Sequence, residues 1–178
     1  MGNISCTFFG HRDCPDSVVP VLFQTVEKLI LQKGVCIFYV GDSGNFDRCV
    51  QQVLLRLKEK YTYIDCSVVL SALSNKYVPG NLPSVFPEGL EKVPPRFAIE
   101  RRNRWMLLQA EYVVAYVRRP WGGAAKSVSS ALRLGKTVIH LGSLPRSSAA
   151  QMPVPSSERA VKNTGLKPPS DEGGGKNL

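Results

Sequence analysis

The stretch that decides the fold is residues 35–47, VCIFYVGDSGNFD, in which a run of apolar and aromatic residues is followed by a polar loop with two glycines. A continuous β-branched and aromatic run of this length is typical of a strand buried on both faces of a sheet. From Phe46 to Lys60, apolar residues recur at helical spacing. The stretch therefore predicts a buried strand, a glycine-bearing loop and an amphipathic helix.

The same alternation of strand and helix extends in both directions along the chain. Strands that are almost wholly apolar and alternate with helices favour a parallel sheet covered on both faces. We therefore predict an α/β, Rossmann-like fold with a doubly wound, mostly parallel sheet of about five strands. The other strands are predicted at residues 5–9, 63–70, 112–117 and 137–141, the other helices at 17–33, about 98–110 and 124–134, and a proline-rich connection at 78–95.

The composition of the chain changes after Gly142. Residues 143–178 are rich in Ser, Pro, Gly and Lys and show no periodic apolar pattern. Such a segment cannot bury enough apolar surface to offset the entropy lost on ordering it. We therefore predict one folded domain over residues 1–142 and a disordered tail over residues 143–178.

The charge balance favours anionic partners, because 23 Lys and Arg residues face 14 Asp and Glu, a net charge of +9. Apolar runs are far shorter than the roughly 20 residues that span a bilayer, and the first residues, MGNISCTFFG, lack the basic region of a signal peptide. The five cysteines form no CxxC pair, which favours reduced thiols over disulfides or a zinc site. We therefore expect a cytoplasmic protein with no membrane partner and no metal.

Polar loops with glycines follow three of the predicted strands. One begins at Gly10, one at Gly41, and the third runs from Arg118 to the glycine pair Gly122 and Gly123. In an open parallel sheet, ligands bind beyond the carboxyl ends of the strands. Glycine allows close backbone approach, and the exposed N–H groups at a helix start attract phosphate. The three loops together predict an anion-binding site at one edge of the sheet.

The helix predicted from about residue 98 carries the densest basic cluster, RFAIERRNR at residues 96–104. Its apolar stripe should face the sheet, and Asn103 interrupts that stripe while Arg102 flanks it. Because a polar side chain in such a place needs a partner, we predict that both reach a loop or a ligand. Arg101 and Arg104 lie on a neighbouring face and are predicted to be solvated charge.

Together these motifs resemble the SLOG superfamily of Rossmann-like nucleotide-binding proteins, and more narrowly its standalone YpsA-like branch. The resemblance implies that residues 1–142 form a domain that binds a nucleotide or a nucleotide-derived signalling molecule. The stretches that carry it are TFFGHR, FYVGDSGNFD, FPEGLEKVPPRFAIERRNRWM and the GGA before the last predicted helix, within about residues 4–142.

A related branch, the LOG-type phosphoribohydrolases, cleaves the N-glycosidic bond of nucleoside monophosphates. The helix motif of that branch, MhxRKxxM, is matched at Arg102 and Met106 but has Asn103 in place of the lysine. In the motif PGGxGTxxE, the part from the first glycine falls on residues 122–129, which places the catalytic glutamate of the branch at Ser129. Serine cannot do the acid–base work of a carboxylate. We therefore expect binding without phosphoribohydrolase activity.

The leading hypothesis is thus a cytosolic sensor, carrier or sequestering protein for a nucleotide or nucleotide-derived signal, bound at the carboxyl edge of the sheet. Two alternatives stay open: an enzyme that cleaves a nucleotide N-glycosidic bond, with Asp47 or Glu88 replacing the missing carboxylate, and a DNA-binding protein. No cofactor is expected besides the nucleotide-type ligand; a homodimer is kept open, and nucleic acid is the less favoured partner. Arg102→Ala is expected to weaken nucleotide binding with little loss of fold stability. The predicted ligand-binding residues are Gly10, His11, Arg12, Gly41, Asp42, Ser43, Gly44, Asp47, Glu88, Arg102, Asn103, Trp121, Gly122, Gly123, Ala124 and Lys126.

Overall fold

The computed structural model describes residues 3–73 and 82–142, which form one parallel sheet of six strands with helices on both faces. The strands are β1 (Ile4–Gly10), β2 (Val35–Val40), β3 (Asp65–Val69), β4 (Ser84–Val85), β5 (Tyr112–Tyr116) and β6 (Thr137–His140). The α-helices are α1 (Val19–Lys33), α2 (Asn45–Lys60), α3 (Pro95–Gln109) and α4 (Gly123–Arg133). The tail predicted at residues 143–178 lies outside the described residues.

The strands lie in the order β4-β3-β2-β1-β5-β6, and every neighbouring pair is parallel. The chain therefore builds outward from β1 in one direction and then resumes on its other side with β5. This reversal between β1 and β5 is the point at which doubly wound sheets bind ligands. The predicted α/β, Rossmann-like fold is confirmed.

The sheet has one strand more than the five predicted. The additional strand, β4, is only two residues long and lies inside the proline-rich connection, where it pairs with Val68 and Val69 of β3. Two residues cannot show an alternating or continuous apolar pattern, so β4 depends on its neighbour and not on its own sequence. Its short length also limits the exposed sheet edge.

Two apolar cores lie on opposite faces of the sheet. The first packs α1 and α2 against the strands through residues such as Leu22, Val26 and Leu54, while the second packs α3 and α4 through Met106 and Val128. Burying a large aliphatic side chain stabilises a fold by about 1.5–3 kcal/mol, so both faces contribute. All five cysteines are free thiols. Among the described residues, no helix is long and apolar enough to cross a membrane.

The helices begin close to the predicted positions, and proline explains the earlier start of α3. α3 starts at Pro95 and not near residue 98, because proline has the backbone angle of a first helical turn and needs no partner for a missing N–H. Pro20 is the second residue of α1, which is preceded by a short 3-10 turn at Asp16–Val18.

Candidate functional site

A cleft of about 440 Å³ opens beside the carboxyl end of β1, next to the point where the strand order reverses. Five parts of the chain form its walls: the loops after β1, β2 and β5, and the facing sides of α3 and α4. The lining residues are Phe8, Phe9, Gly10, His11, Arg12, Asp13, Gly41, Ser43, Asp47, Ile99, Arg102, Asn103, Met106, Arg119, Gly123 and Ala124.

Arg102 of α3 is the buried cation of this cleft, with only 2% of its surface exposed. Its Nη1 donates hydrogen bonds to Asp42 Oδ1 and to the backbone oxygen of Val69, each at 3.0 Å. Its Nε has no hydrogen-bond partner among the described residues. The two hydrogen bonds of Nη1 hold the guanidinium in place. Its Nε–H is left without an acceptor, which costs free energy because the group is buried.

Asp42 is the residue that positions Arg102. In addition to the ion pair, its carboxylate accepts hydrogen bonds from the backbone N–H of Ser71 at 3.0 Å and from the Ser43 hydroxyl at 2.9 Å. The loops after β2 and β3 are thereby tied to α3. Because Arg102→Ala would leave Asp42 and the carbonyl of Val69 without this donor, the expectation of little stability loss does not hold for this environment.

Asp47, in the first turn of α2, places a carboxyl group in the same cleft. It is 8% exposed, and its Oδ2 accepts a hydrogen bond from the backbone N–H of Ser43 at 2.9 Å. Burial raises the pKa of Asp47 to about 6, although the nearby Arg102 acts in the opposite direction. The group therefore changes protonation near neutral pH, where it can donate or accept a proton.

The glycines of the first two loops are required by the packing of the protein itself. A Cβ on Gly41 would overlap the carboxylate of Asp47 and lie 2.5 Å from Arg102 Nη1, and one on Gly10 would overlap the ring of Phe46. Because glycine has no Cβ at these two positions, the charged groups and the Phe46 ring can pack directly against the strand ends. The two glycines thus shape the cleft before any ligand is considered.

The third loop has different surroundings. Gly122 has a φ of +95°, and neither it nor Gly123 would bring a Cβ within 4 Å of another described group. α4 begins here with no side chain capping its N–H groups. Ser127 donates to the carbonyl oxygen of Gly123 at 3.0 Å, and Asn103 donates to the Ser127 hydroxyl at 3.3 Å, so α3 holds the first turn of α4 in place. The start of α4 is open on the cleft side and carries the partial positive charge of a helix N-terminus.

His11 links the loops after β1 and β5. Its Nε2 accepts a hydrogen bond from the backbone N–H of Arg119 at 3.2 Å, and the backbone N–H of His11 donates to the carbonyl oxygen of Tyr116 at 3.2 Å. Burial, and then the positive charge of Arg119, lowers the pKa of His11, which favours the neutral ring that this acceptor role needs. Arg119 in turn pairs with Asp13 at 2.7 Å at the rim of the cleft.

A second cavity, about 950 Å³ in volume, runs between α3 and α4 and is lined in part by residues of the cleft. Ile99, Asn103 and Gly123 line both spaces, so the two adjoin each other. Arg101 and Arg104 are exposed as predicted, and both line this second space, which we call the α3–α4 groove.

The structure brings ten of the sixteen predicted ligand-binding residues into the cleft lining. Asp42 lies behind the cleft and holds Arg102, Gly44 packs against Arg12, and Gly122 and Lys126 line the α3–α4 groove. Glu88 and Trp121 are exposed and line neither space, and the same is true of Ser129. Within residues 3–73 and 82–142, no group of three or more His, Cys, Asp or Glu side chains could hold a metal ion.

Sequence reasoning missed several lining residues, of which Arg119 carries the most chemistry. Its place in the loop directly after β5 was a signal that could have selected it. Ile99 and Met106 lie on the apolar stripe of α3, which was expected to face the sheet, and the structure shows that both also line the cleft. Asp13 lies in the loop after β1 and could have been selected in the same way, although its pairing with the distant Arg119 could not be predicted.

Comparison with known proteins bears on the fold. No protein-family model matches the chain, and no curated protein matches it. Among solved structures, the chain is similar to the X-ray structure of DNA processing protein A (DprA) from Streptococcus pneumoniae, with a TM-score of 0.59 and 16% sequence identity over 81% of this chain. The match spans 52% of that chain, about half of its length. At this identity the likeness establishes a shared fold, and membership of the SLOG superfamily and its YpsA-like branch stays a prediction.

Proposed function

We propose that the protein is a cytosolic binding protein whose cleft holds a nucleotide or a nucleotide-derived molecule by its phosphate group. One observation carries the proposal: the buried guanidinium of Arg102, with an unsatisfied N–H, lines the same cleft as the open first turn of α4. A helix start supplies backbone N–H donors to an anion, and an arginine adds charge-assisted hydrogen bonds. The two together suit a phosphate.

The rest of the cleft suits the nucleoside part of such a ligand. Its volume lies within the range of small-molecule sites, about 300–1,000 Å³. Ile99 and Ala124 are partly exposed and offer apolar surface, while Asp47 offers hydrogen bonding near the proposed phosphate position. An apolar wall beside a few polar groups is the usual composition of sites that bind cofactor-sized molecules.

A second candidate function, cleavage of a nucleotide N-glycosidic bond, is favoured by Asp47 alone. It is a carboxyl group in the cleft with a pKa of about 6, which suits a general acid or base at neutral pH. Glu88, the other carboxylate considered for this role, is exposed and lines neither space. In the candidate enzyme, Asp47 would therefore be the catalytic carboxyl group, because residue 129 is a serine.

Isothermal titration of the protein with AMP at pH 7 tests the proposal. We expect binding that Arg102→Ala weakens by about 1.5–3 kcal/mol, the range for hydrogen bonds to charged groups, while exposed Arg101→Ala has far less effect. Circular dichroism confirms that each variant is folded before titration. Absence of binding, or equal losses in both variants that vanish at high salt, would overturn the proposal.

Two further measurements separate the alternatives. Chromatography of the titrated mixture detects free adenine, and turnover on the order of 1 per second that Asp47→Asn abolishes would favour the enzyme. The name of the similar structure, DNA processing protein A, raises polynucleotide binding as the third possibility. Affinity for a single strand that falls steeply with salt while AMP does not bind would favour it.

A further inference from the structure

The α3–α4 groove is a charged surface that the proposed phosphate site does not use. Five basic side chains line it, against a single acidic one, Glu100. Arg101, Arg104 and Lys126 are exposed, and none of the three forms an ion pair with a carboxylate among the described residues. The basic residues are Arg96, Arg101, Arg104, Lys126 and Arg133.

This groove adjoins the cleft. Gly123, at the open start of α4, borders both spaces, and so does Asn103, which holds that start through Ser127. A molecule with a phosphate at the first turn of α4 therefore has two directions in which the rest of it can lie. One leads into the cleft toward Asp47, and the other leads into the groove toward Arg104.

The groove also has apolar surface between its charges. Leu107 and Leu108 of α3 line it, and Phe97 is 47% exposed with the guanidinium of Arg96 over its ring at 4.7 Å. An exposed aromatic ring next to cations suits the flat face of a base, which stacks while its phosphate is neutralised. A second copy of this chain fits less well, because two such grooves would bring like charges together.

We infer that the ligand is longer than a mononucleotide, with a second phosphate, one nucleoside beyond the first, bound in the α3–α4 groove by Arg101, Arg104 and Lys126. The inference rests on the proposed function, since the first phosphate is the one at the cleft. A free dinucleotide and the end of a longer strand share this chemistry. The groove thus sets which nucleotides the protein selects.

The test compares three adenine ligands at the same salt concentration: AMP, the 5′-phosphorylated dinucleotide pApA and a ten-nucleotide strand. Wild-type protein is expected to bind pApA at least tenfold more tightly than AMP. In the double variant Arg101→Ala/Arg104→Ala the ratio should fall to about threefold or less. The control, Lys28→Ala/Lys33→Ala, removes the same charge from exposed positions of α1 on the other face of the sheet and should keep the wild-type ratio.

Each outcome of this comparison either supports or overturns the inference. Equal affinities for AMP and pApA would overturn the inference and leave the proposed function standing, whereas no binding of either would overturn both. An equal loss in the control variant would also overturn it, because the groove would then act only through its field. A ten-nucleotide strand that binds much more tightly than pApA, with the same loss in Arg101→Ala/Arg104→Ala, supports the inference and identifies a strand end as the source.

Discussion

Arg102 combines two tasks that its sequence position alone could not separate. It supports the fold through Asp42 and Val69, and it lines the cleft with an Nε that has no partner among the described residues. Its neighbours in sequence, Arg101 and Arg104, differ from it only in the face of the helix on which they lie. Burial therefore decides which of three similar side chains is structural and which are available to solvent.

Because of these contacts, Arg102→Ala should lower the free energy of unfolding by about 1–3 kcal/mol, the cost of leaving a buried acceptor unsatisfied. Urea denaturation at pH 7 without ligand measures this loss. Exposed Arg101→Ala is the matched control and should change stability by no more than about 0.5 kcal/mol. Identical midpoints for the two variants would show that Arg102 contributes nothing to the fold.

Asp47 gives the fold a measurable dependence on pH. Its pKa in the folded protein, about 6, lies above the ordinary value of 3.8, so the folded state binds its proton more tightly than the unfolded state does. Its contribution to stability is therefore present at low pH and is lost as the pH rises from about 4 through 6. A shift of this size corresponds to about 3 kcal/mol.

Asp47→Asn keeps the shape of the protonated carboxyl and removes the titration. The stability of Asp47→Asn relative to wild type should therefore increase between pH 4 and pH 7, by up to about 3 kcal/mol. Urea midpoints of both proteins across this range supply the comparison, in which other titrating groups cancel. Two parallel curves would place the pKa of Asp47 near its ordinary value.

Among the helices and strands, α4 matters most to the proposed site, because its first turn is the proposed phosphate position. Gly123 lies at its start with open space where a Cβ would be, and its φ is not positive, so alanine there meets no strain. Gly123→Ala should leave the unfolding midpoint unchanged or slightly raised, yet weaken AMP binding about tenfold by occupying the space of the phosphate. Calorimetry of the two proteins tests this.

Ser129→Ala is the control on the same helix. Position 129 is exposed and lines neither the cleft nor the groove, so both stability and AMP affinity should match wild type. If Gly123→Ala bound AMP as well as Ser129→Ala does, the phosphate would not lie at the start of α4.

The elements were predictable to different degrees for physical reasons. β2 has the predicted bounds because its apolar run is continuous and ends abruptly at Gly34 and Gly41. β4 could not be predicted, since two residues hold their extended form only by pairing with β3. α3 begins earlier than its apolar pattern suggests, because Pro95 continues the helix without adding to the stripe.

On the scale of the whole molecule, the two faces of the sheet differ in role. α1 and α2 cover one face with the larger apolar core, whereas α3 and α4 cover the other and border both the cleft and the groove. The alternation of strands and helices predicted which loops share an edge. It could not predict that Arg102 pairs with Asp42, since that contact joins residues sixty positions apart through the packed fold.

The most direct test of the account is an NMR titration of ¹⁵N-labelled protein with AMP. We expect the backbone amides of Gly123 and Ala124 and the Nε–H of Arg102 to shift together and saturate with one affinity, together with amides in the loops after β1 and β2. Amides of α1, on the other face of the sheet, should stay in place. Shifts confined to α1 and α2, or no shifts at millimolar AMP, would contradict a nucleotide site in this cleft.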